Sequence, residues 1–218
     1  MNLLAVESAT DYCSVALQIS DEVNSRQAHA PRRHAELLLP WVRDLLADAG
    51  LSHADLDGLV VSRGPGGFTS LRIGMGVVQG LALAHGLPIY PVSTLSATAR
   101  AADPDLSAEF IAVLLDARMK EVYSAFYQRV DGRHERIGPE QVGPPARLTA
   151  PHDGPWLAAG SGLAVYPDEV ERALGTQLGT RLPEVWPDAR ALLHLAAGVT
   201  PVPAWSLEPV YVRDRVTG

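Results

Sequence analysis

The chain has 218 residues, of which 47% are hydrophobic and 20% charged, and its formal net charge is -7. This length can form one large domain or two small lobes, but the acidic balance argues against tight autonomous binding to nucleic acid, which depends on clustered cations. No apolar run approaches the roughly 18 residues of a membrane span, the first residues lack the basic flank of a signal peptide, and the single cysteine, Cys13, fits a protein of the reducing cytoplasm.

The first part of the chain alternates predicted strands and helices. Residues 3–6 form an apolar run typical of a buried strand, which ends in the acid Glu7. Residues 15–19 alternate apolar with polar or small side chains and pair with that run as a hairpin, and residues 23–30 add a third strand. Apolar positions at helical spacing then predict a helix over residues 34–50. This order of elements indicates an α/β fold.

A strand, a glycine-rich turn and a helix follow one another between residues 59 and 86. Residues 59–62 read as a buried strand, and the Gly-Pro-Gly-Gly turn at residues 64–67 ends it. Thr69 can cap the following helix, which Gly86 ends. Three glycines lie inside this helix: Gly74, Gly76 and Gly80. Since each costs about 1 kcal/mol relative to Ala, the stretch is either a close packing face or a phosphate-binding turn.

The second half of the chain opens as the first does. Residues 110–115 form an apolar run that ends in the acid Asp116. A polar turn at residues 117–120 then leads to an alternating strand at residues 121–128. The two acids at strand ends are 109 positions apart, half of the chain length, which predicts two related lobes, residues 1–103 and residues 104–218. The other predicted elements are strands at 89–92 and 210–212, helices at 94–102, 168–174 and 188–198, and an extended surface connection at 138–155.

Acids at two strand ends could hold Mg²⁺ through water beside the phosphates of a nucleotide. In the alternative, each carboxylate satisfies its own turn. The glycine-rich turn lacks the lysine and hydroxyl of a Walker loop and misses the GxGxxG spacing, so it is a weak phosphate-binding signal. The candidate nucleotide-binding residues are Glu7, Ser8, Gly64, Gly66, Gly67 and Asp116.

The sequence offers no set of residues for catalysis or metal binding. A second ligand four residues after His34 would make a metal pair on a helix, but that position holds Leu38. The other histidines show no ligand spacing, and neither Cys13 nor the Gly-Ser-Gly at residues 160–162 belongs to a nucleophile motif. We therefore predict no catalytic residue, no metal and no resident cofactor.

The predicted helices over residues 34–50 and 69–85 carry more apolar and glycine surface than a single stripe facing the core needs. Leftover apolar surface of this kind usually marks an interface, although both helices could instead be buried in a thick core. The candidate interface residues are His34, Leu37, Leu38, Trp41, Leu45, Thr69, Arg72, Met75, Gly76, Gly80 and Leu83.

Four motifs together resemble the TsaB (YeaZ) family: GPGGFTSLRIG at 64–74, HAELLLP at 34–40, DARMKEVY at 116–123 and EPVYVRD at 208–214. The resemblance implies an actin-like fold (the ASKHA, sugar kinase/Hsp70 type) of two duplicated ribonuclease H-like lobes. The chain departs from the family at three positions: Glu7 stands for the usual Asp, Gly67 for a Ser and Ser70 for a Gly. The first departure weakens the case for nucleotide binding, since the longer side chain alters where the acid lies.

The resemblance also implies a function. Members of this family take part in forming N6-threonylcarbamoyladenosine at position 37 of tRNA, as non-catalytic scaffolds. The implied partners are a catalytic paralogue, TsaD, and an ATPase, TsaE, with a homodimer when the chain is alone and tRNA contacted only through the complex. The resemblance is also compatible with weak binding of an adenine nucleotide. Two rival functions are a small actin-fold ATPase or kinase that uses Glu7 and Asp116, and a glycoprotease-like (M22-type) peptidase.

Overall fold

A computed structural model describes residues 1–212 of the chain, which form ten strands and six helices. The strands are β1 (Asn2–Glu7), β2 (Tyr12–Ile19), β3 (Glu22–His29), β4 (Gly58–Ser62), β5 (Ile89–Val92), β6 (Phe110–Asp116), β7 (Val122–Val130), β8 (Arg133–Gly143), β9 (Trp156–Ala159) and β10 (Leu178–Leu182). The helices are α1 (His34–Asp48), α2 (Phe68–His85), α3 (Thr94–Ala102), α4 (Gly162–Val165), α5 (Pro167–Leu174) and α6 (Ala189–Ala196). Among these helices, none is long and apolar enough to cross a lipid bilayer.

The chain divides into two compact units. The first contains Met1–Ala97 and Pro187–Val210, and the second contains Thr98–Trp186 with residues 211–212. This division differs from the predicted lobes of residues 1–103 and 104–218, because residues 187–210 return to the first unit. There α6 packs against β1, β2 and β4, and Val202 forms an antiparallel bridge with Ile89 of β5.

The first unit is built on a five-stranded sheet in the order β3-β2-β1-β4-β5. The chain makes two hairpins, so that β1, β2 and β3 are antiparallel, and then crosses over through α1 so that β4 lies parallel to β1. A second crossover through α2 places β5 parallel to β4. Buried residues of α1 and α2 share one apolar cluster with alternate residues of the strands, which explains why both helices lie on the sheet.

The second unit repeats this topology. Its sheet has the order β10-β9-β6-β7-β8, with β6, β7 and β8 antiparallel and with β9 and β10 added parallel on the other side of β6. Its apolar cluster combines strand residues with α5, and Trp156 is its largest fully buried side chain.

The two sheets therefore have the same strand order and the same strand directions. In each, three antiparallel strands are followed by two parallel ones, and the first strand ends in an acid, Glu7 in β1 and Asp116 in β6. This confirms the predicted α/β fold of the actin-like type, with two duplicated ribonuclease H-like lobes.

Candidate functional site

Glu7 ends β1 and is completely buried. Its Oε1 accepts a hydrogen bond from the Ala9 backbone N–H at 2.6 Å, whereas Oε2 has no hydrogen-bond partner among the described residues. Burial raises the pKa of this carboxyl to about 7; the Ala9 amide and the nearby Ser62 hydroxyl lower the pKa, and the charge of Asp188 raises it. Glu7 therefore exchanges its proton near neutral pH.

Cys13 lies in the same interior and is not exposed. Burial, with a smaller effect from the charge of Glu7, raises the pKa of its thiol to about 12. Because the thiolate is the reactive form, this cysteine is structural.

The glycine-rich turn packs directly on the connection between β1 and β2. A Cβ on Gly66 would lie against the Ala9 carbonyl oxygen and 2.7 Å from the Ala9 Cβ, and a Cβ on Gly74 would overlap the Ser8 Oγ. The Gly67 N–H donates to the Ala9 carbonyl at 2.7 Å. Close backbone approach within the chain therefore accounts for Gly66 and Gly74, in agreement with the packing interpretation.

Two further contacts fix the same turn. Gly64 has a φ of +102°, and a Cβ there would lie 2.8 Å from the Val210 carbonyl oxygen; the Val210 N–H donates to the Arg63 carbonyl at 2.7 Å. On the α2 side, the Ser8 hydroxyl donates to the Ser70 carbonyl at 2.8 Å. The first turn of α2 is thus bound to the end of β1 by protein groups.

We expect alanine at two of these glycines to change stability in opposite directions. Gly66→Ala should lower the free energy of unfolding by about 2 kcal/mol or more, since the methyl group overlaps Ala9. Gly76→Ala should raise it by up to about 1 kcal/mol, because nothing lies within 4 Å of a Cβ there and Ala favours the helix. Urea unfolding of both variants measures the difference, and shifts of the same sign would contradict this account of the two positions.

Asp116, the equivalent acid of the second unit, is held by its own turn. Its Oδ1 accepts hydrogen bonds from the Arg118 backbone N–H and from the Tyr166 hydroxyl, both at 2.9 Å, and its Oδ2 lies 3.2 Å from the Arg118 guanidinium. Burial and the bond to Asp116 together raise the pKa of the Tyr166 phenol. These contacts match the alternative in which the carboxylate satisfies its own turn.

His34 lies in the interior at the start of α1. It is 2% exposed, and its Nε2 is 2.8 Å from the Thr10 carbonyl oxygen. Since a carbonyl only accepts, Nε2 must carry the proton and donate it. This ring therefore ties α1 to the turn after β1. The described residues contain no group of three or more His, Cys, Asp or Glu side chains that could hold a metal ion.

The structure divides the predicted interface residues into three groups. Four are buried in the first unit, namely His34, Leu38, Leu45 and Met75, and Leu37 and Trp41 are half-buried against its core. These four side chains pack within the first unit and leave almost no surface of their own for contact with another subunit. The exposed group consists of Thr69, Arg72, Gly76, Gly80 and Leu83.

The five exposed residues form a single line along α2, which we call the α2 stripe. Their spacing of three or four residues places them on one helical face. Nothing lies within 4 Å of a Cβ at either Gly76 or Gly80, so contacts within the chain do not explain these two glycines. Beside the stripe, Phe68 is 50% exposed, and the Arg72 guanidinium carbon lies 3.4 Å from its ring centroid.

An exposed tryptophan that the sequence patterns do not single out lies near the C-terminal end of α2. Trp205 is 80% exposed and lines an apolar groove of about 380 Å³, together with Leu83 of the α2 stripe. We call this the Trp205 groove. The segment around it, Pro-Val-Pro-Ala-Trp, has no periodic pattern that sets it apart from an ordinary loop.

Relatives of known name match this chain over nearly its whole length. A family model described as "TsaD: tRNA N6-adenosine threonylcarbamoyltransferase" matches residues 19–169. The tRNA threonylcarbamoyladenosine biosynthesis protein TsaB of Escherichia coli is 36% identical over 99% of this chain and 96% of its own length. The Bacillus subtilis protein of the same name is 30% identical over 81% and 78% of the two chains.

The solved structures agree with the sequence matches. YeaZ from Pseudomonas aeruginosa superposes with a TM-score of 0.86 at 40% identity, covering 96% of this chain and 99% of its own. A second structure from that organism, described as an uncharacterized protein with similarity to peptidase YEAZ, gives a TM-score of 0.87 at 41% identity, covering 97% and 99%. The chain therefore belongs to the TsaB (YeaZ) family, within the wider group that the TsaD family model describes.

Proposed function

We propose that this chain is a non-catalytic scaffold subunit in the formation of N6-threonylcarbamoyladenosine at position 37 of tRNA in the cytoplasm. Its partners would be a TsaD-like catalytic paralogue and a TsaE-like ATPase, and the chain alone would form a homodimer. The observation that carries the proposal is the pair of exposed glycines, Gly76 and Gly80, on the α2 stripe.

The membership of the family supports the pathway. The Escherichia coli, Haemophilus influenzae and Bacillus subtilis relatives are each named as tRNA threonylcarbamoyladenosine biosynthesis proteins, and the first two align with nearly all of this chain.

The α2 stripe supports the role of a scaffold. A glycine inside a helix costs about 1 kcal/mol, and in Gly66 and Gly74 that cost is offset by close packing within the chain. Gly76 and Gly80 have no such neighbour. A second helix can approach α2 more closely over these two positions than over any larger side chain. The two glycines therefore mark the place where another subunit packs on α2. Thr69, Arg72 and Leu83 then flank the point of contact, with the half-buried edges of Leu37 and Trp41 on the neighbouring α1.

The local use of the two strand-end acids supports a non-catalytic role. Glu7 is buried and holds a proton to about pH 7, and the carboxylate of Asp116 is bound by Arg118 and Tyr166. Because Glu7 has no exposed surface and Asp116 is already bound within its own turn, neither carboxyl is presented at the surface to a substrate or a metal ion. We propose that the chain has no resident cofactor and that any binding of adenine nucleotide at Glu7, Ser8, Gly64, Gly66, Gly67 and Asp116 is weak. With a net charge of -7, contact with tRNA falls to the complex rather than to this chain.

Reconstitution tests the proposal directly. The TsaD-type paralogue, the TsaE-type ATPase and the adenylate synthase of the same genome are combined with tRNA, ATP, threonine and bicarbonate, with and without this chain. We expect modified tRNA only when the chain is present, and a stable complex of the chain with the paralogue in gel filtration. Full modification without it would overturn the proposal. ATP turnover by the chain alone that Asp116→Ala abolishes would instead show an ATPase, and peptide cleavage with bound zinc would show a peptidase.

A further inference from the structure

The Trp205 groove lies beside the C-terminal end of α2 in the first unit. Its walls include Leu83, Gly86, Leu87, Pro201, Pro203 and Trp205, and none of the described residues that line it is charged. Leu83 and Trp205 leave 65% and 80% of their surface to solvent. A groove without a charged group favours an apolar occupant, since a polar one would lose its bonds to water without replacement.

The segment that carries Trp205 is held firmly to the rest of the unit. The Gln79 side-chain amide donates to the Ala204 carbonyl at 3.1 Å and to the Leu207 carbonyl at 3.2 Å. Val202 exchanges two backbone hydrogen bonds with Ile89, at 2.7 and 2.9 Å. Both Ala204 and Leu207, on either side of the tryptophan, are buried in the core. Trp205 is therefore presented on an ordered support, so a binding partner need not order this segment.

The groove continues the α2 stripe. A helix is about 10 Å wide, and Leu83 lies only about 4.5 Å along the axis beyond Gly80, so a helix that crosses α2 at the two glycines also covers Leu83. Leu83 is at the same time a wall of the groove. The two surfaces thus share a residue and meet at the end of α2.

The α2 stripe alone is too small for a stable complex. The 18 residues of α2 extend about 27 Å, and a face about 10 Å wide gives about 270 Å². A stable interface needs about 800 Å² from each partner. Contact area must come from neighbouring surface, and the apolar groove supplies it directly beside the stripe.

From this arrangement we propose that Trp205 is an anchor of the subunit interface. The TsaD-type paralogue, which packs across Gly76 and Gly80, places an uncharged, apolar side chain of its own in the Trp205 groove, against the indole and Leu83. The inference rests on the proposed function, since it assigns the same partner to a surface beyond the two helices. Buried tryptophans are among the residues that contribute most to binding at protein interfaces.

The test compares three variants with the wild-type chain in binding to the TsaD-type paralogue of the same genome, measured by isothermal titration calorimetry. Trp205→Ala should raise the dissociation constant about 10- to 30-fold, and Trp205→Phe, which keeps an aromatic ring, should recover most of the loss. Val165→Ala is the control, because Val165 is 50% exposed on the second unit. The Val165→Ala chain should bind the paralogue as the wild type does. Acrylamide should quench Trp205 in the free chain and be excluded in the complex, with the Trp205→Phe variant giving the background of the other tryptophans.

The outcomes separate this inference from the proposed function. A fourth variant, Gly80→Trp, tests the α2 stripe itself: if it abolishes binding while Trp205→Ala has no effect, the inference is wrong and the scaffold function stands. If neither variant changes binding, both the interface and the anchor are wrong. If Trp205→Ala weakens only self-association and leaves binding of the paralogue unchanged, the occupant is a second copy, which also overturns the inference. A loss with Trp205→Ala and recovery with Trp205→Phe supports it.

Discussion

Replacing Gly80 with Trp is expected to weaken binding of the catalytic paralogue at least about 100-fold, which corresponds to about 3 kcal/mol. Helices that pack side by side have their axes about 8–10 Å apart, and at a glycine the partner backbone occupies the place of the missing side chain. An indole at that point keeps the two helices apart and removes the contacts around it. Inside the chain Gly80 is exposed and nothing lies within 4 Å of a Cβ there, so the new side chain can extend into solvent.

The matched control is Gly143→Trp. Gly143 also has nothing within 4 Å of a Cβ, but it ends β8 in the second unit. This variant should bind the paralogue with unchanged affinity. The melting temperature of both variants reports whether each remains folded, and analytical ultracentrifugation measures association of the chain alone and with the paralogue. Equal affinities of Gly80→Trp and the wild type would move the interface away from α2.

The glycines of α2 divide into a packed one, Gly74, and two outward-facing ones, Gly76 and Gly80, which the sequence alone does not distinguish. The sequence indicated that the cost of these glycines must be offset by close packing or by a phosphate. It could not indicate which glycine met which neighbour, because α2 has apolar side chains on most of its faces. The structure shows that Gly74 packs on Ser8 inside the chain, whereas Gly76 and Gly80 face outward. The same ambiguity made Leu38 and Leu45 of α1 candidates for an interface, although both face the sheet.

Two strands that the sequence does not predict in full, β8 and β10, have few buried residues. β8 overlaps the predicted extended connection, because its sequence is polar and contains two glycines and a proline. As an edge strand it has few side chains to bury. β10 is also an edge strand with mostly exposed residues. The central strands β1 and β6, buried on both faces, were predicted nearly in full from their apolar runs.

The predicted strand at residues 210–212 does not form. The Val210 N–H instead donates to the Arg63 carbonyl, beside the glycine-rich turn, which is a backbone contact outside the sheets. The last two residues of the EPVYVRD motif, Arg213 and Asp214, lie outside the described residues.

Glu7→Gln is expected to make the chain more stable than the wild type above neutral pH and about equally stable below pH 4.5. The native carboxyl has a pKa of about 7, against an ordinary value of 4.5, so between these values the folded chain holds a proton that the unfolded chain has released. The free energy of unfolding therefore falls as the pH rises through this window, by about 3 kcal/mol in total for a shift of this size. Glutamine has nearly the same shape and never ionises, and its carbonyl oxygen can keep the bond to the Ala9 amide, so the variant avoids this loss.

Urea unfolding at pH 4.5, 6, 7 and 8.5 measures the effect as the difference between the variant and the wild type at each pH. That difference should grow from near zero to about 3 kcal/mol and then level off. The matched control is Asp116→Asn, at the equivalent strand end of the second unit, which reports the effect of replacing a carboxylate that is bound by Arg118 and Tyr166 in its own turn. A difference between Glu7→Gln and the wild type that stays constant with pH would mean that Glu7 is ionised inside the fold. A charged carboxylate at this buried strand end would favour a bound cation and would count against the proposal that the chain has no resident cofactor.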